Sequence, residues 1–133
     1  MKKSLNFKKT VSSSSLNTLI EDVTKELAKE GFGVLTRIDF HEKMKEKLGK
    51  TLPPLVILGA CHPQSAFEAF QVAPDVTALM PCNAVIRETG SHQYSVELAK
   101  PSFMLETLEM GAALEPVACE LDDKMKRVLQ NLG

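Results

Sequence analysis

Two short segments of this 133-residue chain carry the residues best suited to chemistry. The first places Cys61 and His62 directly before Pro63, and the second places Cys82 beside Asn83. The thiolate is the nucleophilic form of cysteine, and the partial positive charge of a helix N-terminus stabilises it. If Pro63 is the first residue of a helix, Cys61 lies beside such an N-terminus. The pattern therefore predicts a candidate thiol or ligand site.

The same two cysteines have a second interpretation. Cysteine is among the most buried residue types, so Cys61 and Cys82 can equally act as small apolar side chains where a strand meets a turn. Asp39 completes the candidate site, although its place before a short helix also suits a helix cap. No residue pattern identifies a catalytic group, and an enzyme is not the favoured expectation.

A metal site is the next possibility, with Cys61, His62, Cys82 and either His41 or Asp39 as ligands. No CxxC, HxH or HExxH spacing is present. Adjacent residues of an extended segment point to opposite faces, so Cys61 and His62 would rarely share one ion. We therefore expect no metal and no cofactor.

Composition limits the classes of partner that the protein can bind and the cellular compartment that we expect for it. Sixteen basic residues stand against 17 acidic ones, and the chain has no Trp and one Tyr, which argues against a nucleic-acid partner. The longest apolar run, 55–61, is far shorter than the roughly 20 residues that span a bilayer. The first residues show no signal peptide. The chain has three cysteines, and an odd number of cysteines does not suggest a disulfide framework. We expect a cytoplasmic protein with reduced thiols and no membrane partner.

Two long amphipathic helices are predicted from apolar residues at helical spacing. The first follows the serines of positions 12–15, which are good caps, and the second spans Glu115 to Leu132. Cys119 lies opposite the apolar stripe of the second helix and should be exposed. The two stripes are Leu16, Leu19, Ile20, Val23 and Leu27, and Val117, Leu121, Met125, Val128 and Leu132.

The strand pattern is less regular. Strands are predicted at Leu5–Val11, Phe32–Phe40, Leu55–Ala60, Asn83–Glu88 and Gln93–Ala99, and a weaker one at Val76–Met80. The unbroken apolar run Leu55–Ala60 is typical of a strand that is covered on both faces or central in its sheet. The last two strands form a hairpin whose loop contains His92.

Short helices are predicted between these strands. Asp39 caps one that buries Met44 and Leu48, and Ser102–Glu109 is another. A third begins at Pro63 and turns Ala66, Phe67 and Phe70 inward. The element order predicts an α+β fold over residues 1–133, in which one mostly antiparallel sheet carries the two long helices.

Three segments occur in order at 31–40, 55–63 and 78–88, and together they resemble the bacterial and archaeal family catalogued as domain of unknown function number 302. The matching positions are Gly31, Phe32, Gly33, Asp39, Leu58, Gly59, Ala60, Cys61, Pro63, Pro81, Cys82 and Asn83. One departure is His62, where the family usually has Asn. Asn is among the best helix caps, so this departure should cost about 1 kcal/mol.

The resemblance implies a shape similar to the TATA-box-binding-protein fold and a homodimer, and no established activity. It carries no DNA-binding implication. We therefore expect a non-catalytic homodimeric module that binds a small ligand or a protein partner in the groove between the sheet and a long helix. The alternative is a thiol-dependent redox or sulfur-handling protein centred on Cys61, with Cys82 as its partner. A reactive, exposed Cys61 would favour the alternative, and a buried, inert one the binding module.

Overall fold

The computed structural model describes residues 6–105 and 111–133. The strands in these ranges are β1 (Asn6–Ser12), β2 (Gly33–Asp39), β3 (Leu55–Cys61), β4 (Cys82–Gly90) and β5 (Gln93–Ala99). The helices are α1 (Leu16–Lys29), α2 (Phe40–Leu48), α3 (Pro63–Val72), α4 (Pro101–Leu105) and α5 (Gly111–Gln130). A 3-10 helix spans Pro74–Leu79.

The strands form one antiparallel sheet in the order β1-β5-β4-β3-β2. Alternate side chains point to opposite faces, and the register aligns Leu58, Ala84 and Leu98 on the face that the long helices cover. The predicted α+β class with a mostly antiparallel sheet is confirmed.

The main core lies between that face and the helices α1 and α5. Val23 of α1 and Met125 of α5 are completely buried in this core, and so are the sheet residues Val56 and Ile86. Each such side chain contributes about 1.5–3 kcal/mol relative to remaining in water. The predicted apolar stripes of both helices face this core, with Leu16 and Val117 at its edge.

Local sequence explains where α1 begins and ends. Ser15 caps the helix, because its hydroxyl oxygen accepts a hydrogen bond from the backbone N–H of Thr18 at 3.1 Å. Gly31 follows the last turn with a φ of +89°, a conformation that favours glycine. Phe32 then turns back into the core, and β2 starts at Gly33.

Lys9 ties the first strand to the end of the last helix. It lies on the helix-covered face of β1 and donates hydrogen bonds from Nζ to the carbonyl oxygens of Leu129, at 3.0 Å, and Leu132, at 2.6 Å. The last carbonyls of a helix lack partners within the helix and carry partial negative charge. Leu129 is in the last turn of α5 and Leu132 lies two residues beyond its end, so the lysine adds a charged donor to this negative end of the helix.

The short helices differ from expectation. The side chain of Asp39 makes no cap hydrogen bond, and α2 buries none of its residues: Met44 is half-buried and Leu48 is 66% exposed. In α3, Phe67 and Phe70 face solvent rather than the core, with exposed fractions of 66% and 44%. The small residue Ala69 faces inward instead and packs with Ala118, which lets α3 approach α5 closely.

A further prediction needs correction. Val76–Met80 is not a strand, because the 3-10 helix that starts at Pro74 occupies this segment and buries only Val76. Of the two alternatives for Leu55–Ala60, the inner strand is the one observed, since β3 lies between β4 and β2 while Ile57 on the face away from the helices is only half-buried. The predicted helix Ser102–Glu109 is present as α4 up to Leu105, and the rest lies outside the described residues.

Candidate functional site

A pocket opens where β3 ends and β4 begins, and we call it the thiol pocket. Its walls come from these strand ends, the first turns of α3, the 3-10 helix and the middle of α5. The empty volume is about 530 Å³ including the open mouth. The residues that line it include Phe32, Cys61, His62, Ala69, Met80 and Cys82. The wall is almost entirely apolar, which is typical of small-molecule sites.

The two cysteines of the candidate site both line this pocket. In the sheet register Cys82 is paired with Ala60, so Cys61 is offset by one residue and strand alternation directs its side chain to the other face of the sheet. Burial, and to a smaller extent the proximity of Cys61, raises the pKa of the Cys82 thiol to about 11. Cys82 therefore remains protonated at neutral pH and is a weak nucleophile.

His62 caps α3 from the rim of the pocket. Its Nδ1 accepts a hydrogen bond from the Ser65 backbone N–H at 3.4 Å, while its Nε2 lies 3.1 Å from the Lys124 ammonium. The ring also packs edge-on against Phe32, with centroids 5.2 Å apart. The predicted cap is confirmed, and its bond is long for an N–H···O or N–H···N contact.

The environment of His62 favours the neutral ring. Burial lowers its pKa from the ordinary 6.5, and the Lys124 charge lowers it as well, while Glu120 and Glu68 act weakly in the opposite direction. A neutral imidazole has one acceptor nitrogen, so Ser65 and Lys124 compete for a single tautomer. Only one of the two contacts can therefore be a hydrogen bond in a given tautomer, and that bond uses the one acceptor nitrogen that could otherwise serve as a base for a thiol.

Gly31 makes room for this histidine. A Cβ at position 31 would lie 2.8 Å from Nε2 of His62, closer than carbon and nitrogen can approach. The end of α1 and the start of α3 therefore meet through a residue without a side chain. The left-handed φ of Gly31 adds a second reason for glycine here.

The remaining candidates lie elsewhere. Asp39 is at the far end of β2 from the pocket and accepts a hydrogen bond from Arg37 at 3.1 Å. Asn83 is exposed on the sheet face away from the helices, beside a second, open pocket. His41 is half-buried, and its Nδ1 accepts a hydrogen bond from the backbone N–H of Leu55 at 3.0 Å. Cys119 is exposed, as predicted.

Two residues of the site were not identified from the sequence: Lys124, which contacts His62, and Met80, which lines the pocket. Lys124 is three residues after Leu121, at the edge of the apolar stripe of α5. This position beside the stripe was the one feature of the sequence that could have indicated a contact with the rest of the fold. Met80 gave no strong signal, because it directly precedes Pro81 in an irregular segment. Within the described ranges, no three or more His, Cys, Asp or Glu side chains form a group that could hold a metal ion.

Comparison with known proteins agrees with the three sequence motifs. The family described as "Domain of unknown function DUF302" matches residues 7–132. The chain belongs to the DUF302 family. A crystal structure of an uncharacterized conserved DUF302 protein from Bacillus stearothermophilus superposes on this DUF302 domain with a TM-score of 0.87 and 26% sequence identity. The match covers 98% of this chain and 100% of the other.

No curated protein matches the DUF302 chain. The family has no assigned function, so membership fixes the fold and leaves the chemistry of the thiol pocket to be argued from its residues. Among the helices in 6–105 and 111–133, none has the length and apolar character needed to cross a membrane.

Proposed function

We propose that this DUF302 domain is a non-catalytic module that binds a small, largely apolar molecule in the thiol pocket. The observation that carries the proposal is the pocket itself, an apolar cavity of about 50 Å³ that widens into an open mouth where strand ends and three helical segments meet. Largely preformed apolar pockets with a few polar groups at the rim are the usual form of a ligand site. His62 supplies that polar rim.

The contacts of His62 favour binding over catalysis. A catalytic thiol needs a base within hydrogen-bond reach, and the imidazole is instead engaged by Ser65 and Lys124. The second thiol, Cys82, has a pKa of about 11 and is protonated at neutral pH. Neither group has the activation expected of an enzyme that works through cysteine.

The test uses indole as a small apolar probe and NMR to follow the backbone amides of the full chain. Ala66 lines the pocket and is half-buried in α3, so Ala66→Leu should fill the cavity and weaken indole binding by at least about tenfold. Ala28→Leu adds the same group on the exposed side of α1 and serves as the control. Shifts that are absent, or that are equal in both variants, would contradict the proposal.

We also propose that the domain works as a homodimer in the cytoplasm. The sheet face away from the helices carries three apolar cross-strand neighbours, Ile38, Ile57 and Val85, none of which is fully buried in one copy. A second copy could cover this stripe. The three free cysteines support a reducing compartment.

Light scattering after size exclusion tests the dimer. Ile38→Lys should produce a monomer, because it places a charge in the stripe. Phe67→Lys, on the exposed side of α3, should leave the dimer unchanged. A monomeric wild-type chain, or equal effects of both variants, would contradict the homodimer.

The alternative is thiol chemistry at Cys61, and the shared pocket of Cys61 and Cys82 is the observation in its favour. Alkylation by iodoacetamide across a pH series, with peptide mapping of each cysteine in the folded chain, separates the two functions. The usual pKa of a cysteine thiol is about 8.5. If Cys61 reacts as a thiolate well below that pH, its own pKa is depressed and the thiol function is favoured. If Cys61 stays protected until unfolding, the thiol function is excluded.

A further inference from the structure

The imidazole of His62 forms part of the wall of the thiol pocket, and its neighbours hold it there. Phe32 packs edge-on against the ring with centroids 5.2 Å apart, and Nε2 lies 3.1 Å from the Lys124 ammonium. On the α3 side, Nδ1 lies 3.4 Å from the backbone nitrogen of Ser65. At the end of α1, Gly31 comes so close that a Cβ there would lie 2.8 Å from Nε2. A molecule in the pocket therefore meets a titratable ring that is fixed in place.

The contacts of this ring favour its neutral form. A neutral imidazole has one acceptor nitrogen, which serves either the Ser65 N–H or the Lys124 ammonium, whereas an imidazolium accepts from neither. Protonation would also place a second positive charge beside the ammonium of Lys124, and a nearby like charge disfavours the charged ring. The proton and the observed arrangement of the pocket wall therefore compete.

The other charges around His62 do not reverse this preference. The titratable groups on the elements packed around it are Lys124, Glu120 and Arg127 of α5, Glu68 of α3, Glu30 at the end of α1, and Cys61 and Cys82 of β3 and β4. Burial lowers the pKa of His62 most, and the Lys124 charge lowers it as well, whereas Glu120 and Glu68 raise it without changing the net direction. Glu30 and Arg127 pair with each other at 2.9 Å.

An apolar molecule in the pocket should strengthen the preference for the neutral ring. It would replace water beside the imidazole, and loss of water disfavours the charged form of a titratable group. Coupling between two ligands is reciprocal, so the proton must weaken the binding of the apolar molecule by the same factor. The position of His62 in the wall thus links occupancy of the pocket to pH.

We propose that protonation of His62 weakens ligand binding in the thiol pocket, so that the domain releases an apolar ligand as the pH falls. This inference rests on the proposed binding function and adds its regulation. Binding to the protonated form releases the ring proton to water, and no bond to the ligand forms.

The test is the Kd of indole, which carries no charge in this range, measured by amide NMR of the full chain from pH 8 downwards. The imidazole signals of His62 in the same samples show when the ring is protonated. We expect the Kd to rise by about fivefold over that protonation, which is the lower end of typical coupling between two sites. The amide spectra also show that the chain is folded at each pH.

Three variants assign the effect. His62→Asn should bind indole with the same Kd at every pH, since Asn can cap α3 and does not titrate. His92→Asn, in the exposed turn between β4 and β5, should keep the wild-type dependence. Lys124→Gln removes a charge that lowers the pKa of His62, so the rise in Kd should move to higher pH. A purely structural role of the lysine would not cause that displacement.

The outcomes separate this inference from the binding function. A Kd that stays constant while His62 titrates would overturn the coupling and leave binding in the pocket intact. The same pH dependence in His62→Asn as in wild type would also overturn it. If indole binds at no pH, the binding function fails and the coupling fails with it.

Discussion

The Nε2 atom of His62 and the ammonium of Lys124 lie 3.1 Å apart, and this contact joins the start of α3 to the middle of α5. The same imidazole caps α3 through Nδ1. One side chain thus holds two helices at the rim of the thiol pocket. The neutral ring has one acceptor nitrogen, which serves either the cap or the Lys124 contact, and protonation would remove it.

Stability should consequently depend on pH through His62. Its pKa is lowered in the folded chain, so the unfolded chain binds this proton more readily, and the free energy of unfolding falls as pH drops below the ordinary value of 6.5. The fall continues until the folded-state pKa is reached. Urea unfolding between pH 5 and pH 8 measures it.

His62→Asn should flatten this pH dependence, since Asn can cap α3 and does not titrate. His92→Asn is the matched control, because His92 is exposed in the β4–β5 turn with a φ of 56°, a conformation that Asn tolerates. An equal pH slope in wild type and His62→Asn would exclude His62 as the source.

Gly59 should not tolerate a methyl group. A Cβ there would overlap the Thr36 hydroxyl and lie 2.7 Å from Cγ of Pro81. Gly59→Ala should lower the free energy of unfolding by about 1–3 kcal/mol. Gly33→Ala, where a Cβ meets open space, should change it by no more than about 0.5 kcal/mol in chemical denaturation. Similar losses in both variants would contradict the packing argument.

The cap of α1 gives a third test. Ser15→Ala removes the acceptor of the Thr18 N–H and should destabilise the fold by about 1 kcal/mol. Ser14→Ala changes an exposed neighbour outside the helix and should be neutral. Thermal unfolding of the two variants side by side measures the difference, and a neutral Ser15→Ala would show that the bond contributes nothing.

Lys9 should matter more than the adjacent Lys8. Lys9→Met leaves the carbonyls of Leu129 and Leu132 without their charged donor and should cost about 1–3 kcal/mol. Lys8→Met loses an ion pair between an exposed lysine and Glu97 at 3.5 Å, and Glu97 keeps its pairing with Arg87 at 3.6 Å, so the loss should be less than about 1 kcal/mol. Urea titration compares them, and a smaller effect at Lys9 than at Lys8 would reject the role of Lys9.

Local patterns predicted those parts of the fold that local physics determines. The stripe from Leu19 to Leu27 and the cap at Ser15 follow from helical spacing and hydrogen bonding within a few residues. The rotation of α3 does not, because it depends on the close approach of Ala69 to Ala118 in another helix. Hydrophobicity alone predicted that Phe67 points into the core. The inward-facing small residue Ala69 instead leaves Phe67 exposed to solvent.

The sequence likewise predicted part of the candidate site but not all of it. The sequence drew attention to Cys61, His62 and Cys82, and the structure places all three at one pocket. Lys124 joins them from the last helix, 62 residues after His62, so no local pattern could show the contact. Asp39 was included for its type, but the length of β2 separates it from the pocket.

The hydrogen bond from Lys9 to Leu132 joins residues 123 positions apart, and β1 pairs only with β5. On the ribosome, the first strand therefore emerges long before its partner strand and the helix end that it binds. Until then its backbone hydrogen-bonding groups are without their final partners. Contacts of such long range slow folding and leave partly folded chains open to association. For this domain, completion of the sheet is a late event in synthesis.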